Sequence, residues 1–170
     1  KAELGNRVGP RDRVTVKGKA IHLVWQDRLP RIIIYHKQEG EIVSRDDPGK
    51  RVSVFDRLPQ AKSSRWVTIG RLDVNTSGLL ILTTHGGLAH RFAHPSFEVD
   101  REYAVRLLGQ LTDEQRQALL TGVLLDDGPA KFDRLDVEEG GEGANHWYRV
   151  CIREGRNREV RRIFESMGLT

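Results

Sequence analysis

The chain has 170 residues, of which 38% are hydrophobic and 31% are charged, so it can bury a core beneath a heavily charged surface. Lys and Arg outnumber Asp and Glu by 28 to 24, a basic bias that is compatible with nucleic acid without identifying it. The single cysteine, Cys151, excludes an internal disulfide framework, and no apolar run is long enough for a membrane span. We therefore expect a cytoplasmic protein without a membrane partner.

The first elements in chain order suggest a small segment followed by a linker. Residues 4–21 combine glycine and proline turns with the alternating strand 13–16, which predicts the tail of another domain or an edge hairpin. The polar stretch 26–31 follows as a linker. The run "RIIIYHK" (31–37) is apolar and of strand length, so we expect a strand that is buried on both faces.

The next segment, residues 41–51, is polar and rich in turn-forming residues, which predicts an exposed basic loop. Ser53 then caps a single helical turn. Apolar strands at 65–70 and 78–84 flank a turn that contains Asp73. A helix follows them, with apolar residues at helical spacing and a proline that ends it; these residues are Leu88, Ala89, Phe92, Ala93 and Pro95.

The remaining elements are strands and two further helices. The strands are predicted at 101–109, 131–139 and 146–152. Thr112 and Gln115 form a capping box for a helix that ends at Gly122. The last helix has one apolar face and a glycine stop, formed by Val160, Ile163, Phe164, Met167 and Gly168. This order predicts an α+β fold with a mixed, mostly antiparallel sheet.

Asp73 lies in the stretch "GRLDVNTSGLL" (residues 70–80), and its residue types leave two interpretations open. Asp, Asn, Thr, Ser and Gly form tight turns, so the carboxylate could belong to turn chemistry. It could also be a catalytic group beside Arg71 at the start of a buried strand. A calcium loop is excluded, because it needs a bidentate Glu at the twelfth position, where this chain has Thr84.

Three blocks in this order resemble the RsuA/RluB family of ribosomal-RNA pseudouridine synthases. They are "GRLDVNTSGLLILTTHG" with Asp73, "REYAVRL" with Tyr103, and "EGRNREVRRIFESMG" with Arg161. The stretches "DDPGKRVSVFDRLP" and "GGEGANHWYRV" are similar to the RluB type in particular, which modifies large-subunit rRNA. The resemblance covers nearly the whole chain from about Arg31 onward.

The resemblance implies a pseudouridine synthase fold around a central cleft, and a cofactor-free isomerase that converts one uridine of 23S rRNA to pseudouridine. Asp73 would be the catalytic carboxylate, either adding to C1′ or removing the C2′ proton. Arg161, at the edge of the apolar stripe of the last helix, would keep that carboxylate ionised. Tyr103 would pack against the flipped-out uracil, with an ordinary core position as the alternative.

The resemblance also implies an RNA-binding surface. Arg71 matches the arginine that helps to extrude or replace the base, and Thr76 and Ser77 belong to the same motif as Asp73. Contacts to the RNA backbone would position the substrate without reading its sequence. The residues expected to make these contacts are Lys37, Arg45, Lys50, Arg51, Arg156, Arg158 and Arg162.

Two domains are expected from the resemblance. Residues 1–25 would be the C-terminal remnant of an S4-like RNA-binding domain with its linker, and residues 26–170 would be a C-terminally truncated catalytic domain. The expected partner is rRNA, with a monomer as the default state. His90 and His94 have i, i+4 spacing but no evident third ligand, so no metal site is expected.

Two alternatives to a large-subunit rRNA enzyme remain. One is a small-subunit rRNA pseudouridine synthase of the RsuA type. The other is a non-catalytic RNA-binding module, such as a ribosome assembly factor, for which a carboxylate close to RNA would be of no use because it repels phosphate.

Overall fold

A computed structural model of the chain describes residues 3–9, 11–22, 29–62, 64–138, 140 and 143–170. The chain divides into two compact units, Lys1–Pro30 and Arg31–Thr170. The predicted domain boundary after residue 25 and the first half of the predicted linker lie outside the described residues.

A β-hairpin forms in the described part of the first unit. It joins β1 (Val14–Val16) to β2 (Lys19–Ile21), and most of its residues are exposed. Lys17 and Gly18 make the two-residue turn with φ values of 50° and 77°, as tight hairpin turns require. A hairpin is one of the two alternatives predicted here, whereas the S4-type origin stays a prediction.

The described residues of the second unit form eight strands and three α-helices. The strands are β3 (Ile32–Lys37), β4 (Val67–Ile69), β5 (Gly78–Thr83), β6 (Arg101–Leu108), β7 (Val123–Leu125), β8 (Gly128–Ala130), β9 (Arg134–Glu138) and β10 (Asn145–Ile152). The helices are α1 (Gly86–Ala93), α2 (Asp113–Thr121) and α3 (Glu159–Glu165), with 3₁₀ helices at Val54–Arg57 and Pro95–Phe97. All paired strands are antiparallel in these residues, and one parallel bridge joins Ile42 to Ser53. The predicted α+β, mostly antiparallel fold is confirmed.

The first sheet has the strand order β3–β5–β4 and is covered on one face. Leu80 and Leu82 on that face pack with Val54 and Trp66. The other face leaves Ile34 75% exposed. The prediction that strand 31–37 is buried on both faces is therefore wrong, because successive side chains of a strand point to opposite faces and only one face here meets a core.

The second sheet has the order β6–β10–β9 and supports the larger core. Ile163 and Phe164 of α3 are buried in that core, as the predicted apolar face requires. Thr112 and Gln115 form the predicted capping box of α2, and Gly122 follows its last residue. These helix predictions are confirmed.

Two local predictions differ from the structure. Glu41 and Ile42 are buried, so the loop predicted over 41–51 is not exposed at its start. The reason is the parallel bridge of Ile42 and the side-chain contacts of Glu41 described below. The hairpin β7–β8 was not predicted, because its strands have three residues each and β8 contains a proline. Its two-residue turn is Asp126–Asp127, and Gly128 directly after the turn was the available signal.

Candidate active site

Asp73 lies in the loop between β4 and β5, the Asp73 loop (residues 70–77). Gly70, in the loop, and Gly78, just after it, have φ values of 75° and 129°, which residues with side chains rarely adopt. Within the loop, the Thr76 N–H donates to the Asp73 carbonyl at 3.0 Å. The Asp73 side chain is 31% exposed, so this loop presents a carboxylate that solvent or a ligand can reach.

Two arginines contact the same oxygen of Asp73. Asp73 Oδ2 lies 3.5 Å from Arg158 Nη1 and 3.6 Å from Arg161 Nε. Asp73 Oδ2 therefore faces two positive charges. The structure thus brings Asp73 and Arg161 together. The structure also places Arg158 at Asp73. A helical wheel predicts that Arg158 lies further from the apolar stripe than Arg161, because the wheel assumes regular helix geometry at this residue.

Arg161 also binds the backbone of the Asp73 loop. Its Nη2 donates to the Asn75 carbonyl at 3.2 Å and to Thr76 Oγ1 at 3.1 Å. One guanidinium therefore contacts the carboxylate and holds the turn that carries it. Thr76, predicted in the site from the motif, is a partner of this arginine in the structure.

Lys37 supports the Asp73 loop from beneath. Its side chain is fully buried, and its ammonium donates to the carbonyls of Thr76 at 2.7 Å and Gln38 at 3.0 Å, with the Val74 carbonyl at 3.5 Å. Burial lowers the pKa of Lys37, while the negative charges of Glu41, Asp73 and Glu39 oppose that shift. The structure therefore gives Lys37 a role different from the predicted phosphate contact, because an ammonium with no exposed surface is already bound by carbonyl groups.

Glu41 is a buried acid, and among the negative charges that raise the pKa of Lys37 its effect is the largest. The Tyr35 hydroxyl donates to Glu41 Oε2 at 2.5 Å, and Arg57 Nε lies 3.8 Å from Glu41 Oε1. Burial and this hydrogen bond raise the pKa of Tyr35 to about 12. Glu41 and Lys37 are thus both buried and carry opposite charges, and neither Tyr35 nor Glu41 was identified from the sequence.

Tyr103 lies on β6 and packs against the larger core. Burial raises the pKa of the Tyr103 phenol; Arg101 opposes the rise, and the charges of Glu159 and Asp73 add to it. The phenol is thus within electrostatic reach of the Asp73 carboxylate. Both alternatives for Tyr103, a core residue and a residue that faces the site, remain compatible with this position.

The basic loop after β3 does not contact Asp73 in the described residues. Arg45 stacks over the Phe55 ring at 4.0 Å and donates to the Trp66 carbonyl. Arg51 pairs with Asp47 at 3.1 Å. The other predicted RNA-binding residues that are exposed are Lys50, Arg71, Ser77 and Arg158, and of these Arg158 contacts Asp73.

Arg156 and Arg162 bind acids of the protein itself. Arg156 Nη1 lies 2.9 Å from Asp127 Oδ1, and both Arg162 nitrogens Nη1 and Nη2 bind the Asp127 carboxylate at 2.8 and 2.9 Å. Arg156 also contacts Glu159 and Glu154. The predicted RNA-backbone contacts of these two arginines would compete with the existing ion pairs.

Glu159 was not identified from the sequence, although it is 3% exposed and lies beside the site. Burial raises the pKa of Glu159 to about 7, and a hydrogen bond with Glu154 contributes in the same direction. Its position directly after the "GRNR" stretch carried no signal of burial, because a glutamate in the first turn of a helix is ordinarily exposed.

In the part of the chain that the structure describes, no group of three or more His, Cys, Asp or Glu could hold a metal ion. The rings of His90 and His94 have centroids 4.9 Å apart and are tilted by 47° to each other, and His94 caps the short helix after it. Within the same ranges, each helix is too short or too polar to cross a membrane.

The sequence family is established by comparison with known proteins. Residues 31–166 match the model of the RNA pseudouridylate synthase family, so the chain belongs to that family. The matched range contains the Asp73 loop, Tyr103 and both arginines that contact Asp73.

Three relatives that resemble the chain share one name. The chain is 53% identical to ribosomal large subunit pseudouridine synthase B of Pseudomonas aeruginosa, over 99% of this chain and 44% of that protein. It is 55% identical to the protein of the same name from Yersinia pestis, over 85% of this chain and 45% of that protein. For the protein of Escherichia coli strain K12 the identity is 49%, over 99% and 58%. The chain therefore spans about half the length of the curated relatives it matches.

A solved structure shows the same fold. A crystal structure of a pseudouridylate synthase superimposes with a TM-score of 0.71 at 23% identity, covering 96% of this chain and 67% of the other. The predicted pseudouridine synthase fold is confirmed by this likeness.

Proposed function

We propose that the chain isomerises one uridine of large-subunit 23S rRNA to pseudouridine in the cytoplasm, without a cofactor. The observation that carries the proposal is the partly exposed Asp73 carboxylate, whose Oδ2 lies within 3.6 Å of two guanidinium groups. The family and the names of the relatives support the same reaction and the large-subunit substrate.

The reaction needs an ionised carboxylate and no exchange of electrons. The C1′–N1 bond of uridine breaks, the uracil turns, and a C1′–C5 bond forms; C5 loses a proton and N1 gains one. Asp73 either adds to C1′ or removes the C2′ proton. Arg158 and Arg161 stabilise its charge in both routes. Tyr103, partly buried on β6, would pack against the flipped uracil.

RNA binding would use the exposed cations around this loop. A uridine within folded RNA must leave its stack, at a cost of a few kcal/mol. Arg71, two residues before Asp73 and exposed, is suited to replace the base or contact its phosphate. Lys50, Arg45 and Arg51 would add phosphate contacts, which position the RNA without reading its sequence.

The test is tritium release from C5-tritiated uridine in protein-free large-subunit rRNA. We expect release by the unmodified chain and a loss of at least about 1,000-fold in Asp73→Asn, because the reacting group is removed. RNA binding should persist in that variant, since it loses a negative charge that repels phosphate. Asp136→Asn, at an exposed position on β9, is the matched control and should keep full activity.

The alternatives give different results in the same assay. Release from small-subunit rRNA alone would replace the large-subunit assignment by the RsuA type. Binding to both RNAs with release from neither would contradict the isomerase and leave a non-catalytic RNA-binding module.

A further inference from the structure

The residue that precedes α3 has an unfavourable backbone conformation. This residue, Arg158, and Arg161 of α3 are the two arginines that contact Asp73. The helix has seven residues, and no side chain caps its N-terminus. Arg158, at the N-cap position, has φ 51° and ψ 29°, a left-handed conformation that is costly for a residue with a side chain. Neighbouring contacts must therefore hold Arg158 in this conformation.

Glu159 makes contacts that meet this need. Its Oε2 accepts a hydrogen bond from the Arg156 backbone N–H at 2.9 Å, and its Oε1 lies 3.2 Å from Arg156 Nε. Glu159 directly follows Arg158 in the chain, and Arg156 lies two residues before Arg158. The carboxylate thus ties together the backbone on the two sides of the left-handed residue.

Arg156 is in turn fixed to the hairpin β7–β8. Its Nη1 donates to Asp127 Oδ1 at 2.9 Å and its Nη2 to the Pro129 carbonyl at 2.8 Å. Asp127 also binds Arg162 of α3 through two hydrogen bonds. Glu159 therefore connects the start of α3 to an anchored partner, and with 3% exposure it is shielded from competing water.

We propose that Glu159 is a positioning residue, which holds the backbone around Arg158 so that the Arg158 guanidinium faces Asp73. This inference rests on the proposed isomerase function. Glu159 acts through the loop rather than on the substrate, because both of its oxygens contact Arg156 and its side chain is buried. A role in folding alone is the competing explanation, and it predicts no dependence on Arg158.

The test is a double-mutant cycle on the 170-residue chain, measured as tritium release at saturating rRNA. Misplacing a catalytic group lowers the rate, so Glu159→Ala should lower kcat by up to about 10-fold, the loss expected when Arg158 itself is removed. The KM for rRNA should change by less than about three-fold, because no substrate contact is lost. In an Arg158→Ala background, the same change should lower kcat by less than about two-fold, since no Arg158 remains to be positioned.

Two further variants make the cycle decisive. Glu159→Gln keeps an oxygen that can accept from the Arg156 N–H, so its loss of kcat should be smaller than that of Glu159→Ala. It replaces Glu159→Ala in the cycle if circular dichroism shows that the alanine variant does not fold. Glu165→Gln is the control: Glu165 is an exposed acid of α3, 3.9 Å from Arg158, without a hydrogen bond to the loop, and kcat should not change.

Equal losses in the presence and absence of Arg158 would overturn the inference and leave Glu159 a role in folding alone. A Glu165→Gln loss as large as that of Glu159→Gln would also overturn it, because charge rather than position would then matter. If the unmodified chain releases no tritium from rRNA while the Pseudomonas aeruginosa relative does so, the proposed function fails instead. The two failures are thereby distinguished.

Discussion

The two arginines at Asp73 stabilise the negative charge of its carboxylate and contribute little to the stability of the fold. Their distances to Oδ2, 3.5 and 3.6 Å, are longer than those of charge-assisted hydrogen bonds, so the carboxylate keeps lone pairs that a substrate can meet. All three side chains are between 31% and 44% exposed. Exposed pairs of this kind contribute about 0–1 kcal/mol to folding.

Arg161 and Arg158 should differ in their importance for catalysis. Arg161→Ala removes an ion pair and two hydrogen bonds to the Asp73 loop, whereas Arg158→Ala removes the ion pair with Asp73 and a longer contact with Glu165. We expect kcat for tritium release to fall about 100-fold in Arg161→Ala and about 10-fold in Arg158→Ala. Arg161→Lys should restore only part of the loss, because an ammonium cannot reproduce the planar set of donors. The reverse order of the two alanine variants would contradict this account.

At the scale of elements, Lys37 couples the end of β3 to the Asp73 loop. Lys37→Met keeps the aliphatic stem but leaves the carbonyls of Thr76 and Gln38 without this donor. Buried groups without a partner cost about 1–3 kcal/mol each, so we expect the free energy of unfolding in urea to fall by about that amount. Because the loop loses its support, kcat should fall as well. Lys131→Met, at an exposed position outside the proposed RNA-binding set, is the control, and an equal effect there would refute the role of Lys37.

Glu159, the first residue of α3, should make the free energy of unfolding depend on pH. The folded protein raises the pKa of Glu159 from 4.5 to about 7, so between these values the folded state keeps a proton that the unfolded state has released. Stability from this group is therefore present below about pH 4.5 and is lost as pH rises through 7. The loss should be on the order of 1–3 kcal/mol relative to Glu159→Gln, in which position 159 does not titrate.

Urea unfolding of the unmodified chain and of Glu159→Gln at pH 5 and pH 8 measures this difference. The unmodified chain should lose more stability than the variant between the two values. Parallel behaviour would show that Glu159 titrates outside this range.

At the scale of the whole molecule, the surface arginines differ in their contacts with acids of the protein. On the face of the second sheet opposite to Tyr103, Arg134 and Arg149 are paired with Glu102. Arg71, within the Asp73 loop, is exposed. Since neutralised surface cations release few counterions, RNA affinity should depend on the cations around the Asp73 loop rather than on that face.

Arg71→Ala should therefore weaken rRNA binding and make it less sensitive to salt. The slope of log affinity against log salt concentration should decrease by about 1, as expected for one lost phosphate contact. Arg134→Ala is the control and should leave that slope unchanged. Filter binding across a series of salt concentrations measures both, and equal slopes for the two variants would exclude Arg71 from the RNA interface.

Much of the secondary structure follows from local signals. The capping box of Thr112 and Gln115, the cap of Ser53 and the apolar spacing of α3 act over a few residues, and the structure has each of them. The burial of individual residues was harder to predict from the sequence. Ile34 is exposed although its strand begins with three isoleucines, because the partner of each sheet face is decided by segments distant in sequence.

By itself, the sequence determined the α+β class, the position of Asp73 in a turn between two strands, and the family through its ordered motifs. Only the tertiary structure decided that Lys37 lies under the loop, that Arg158 joins Arg161 at Asp73, and that Glu159 is buried. The physical reason is range: turns and caps depend on neighbours along the chain, whereas burial and ion pairs depend on contacts between residues such as Asp73 and Arg161, which are 88 positions apart. Such contacts exist only once the core has brought the strands and α3 together.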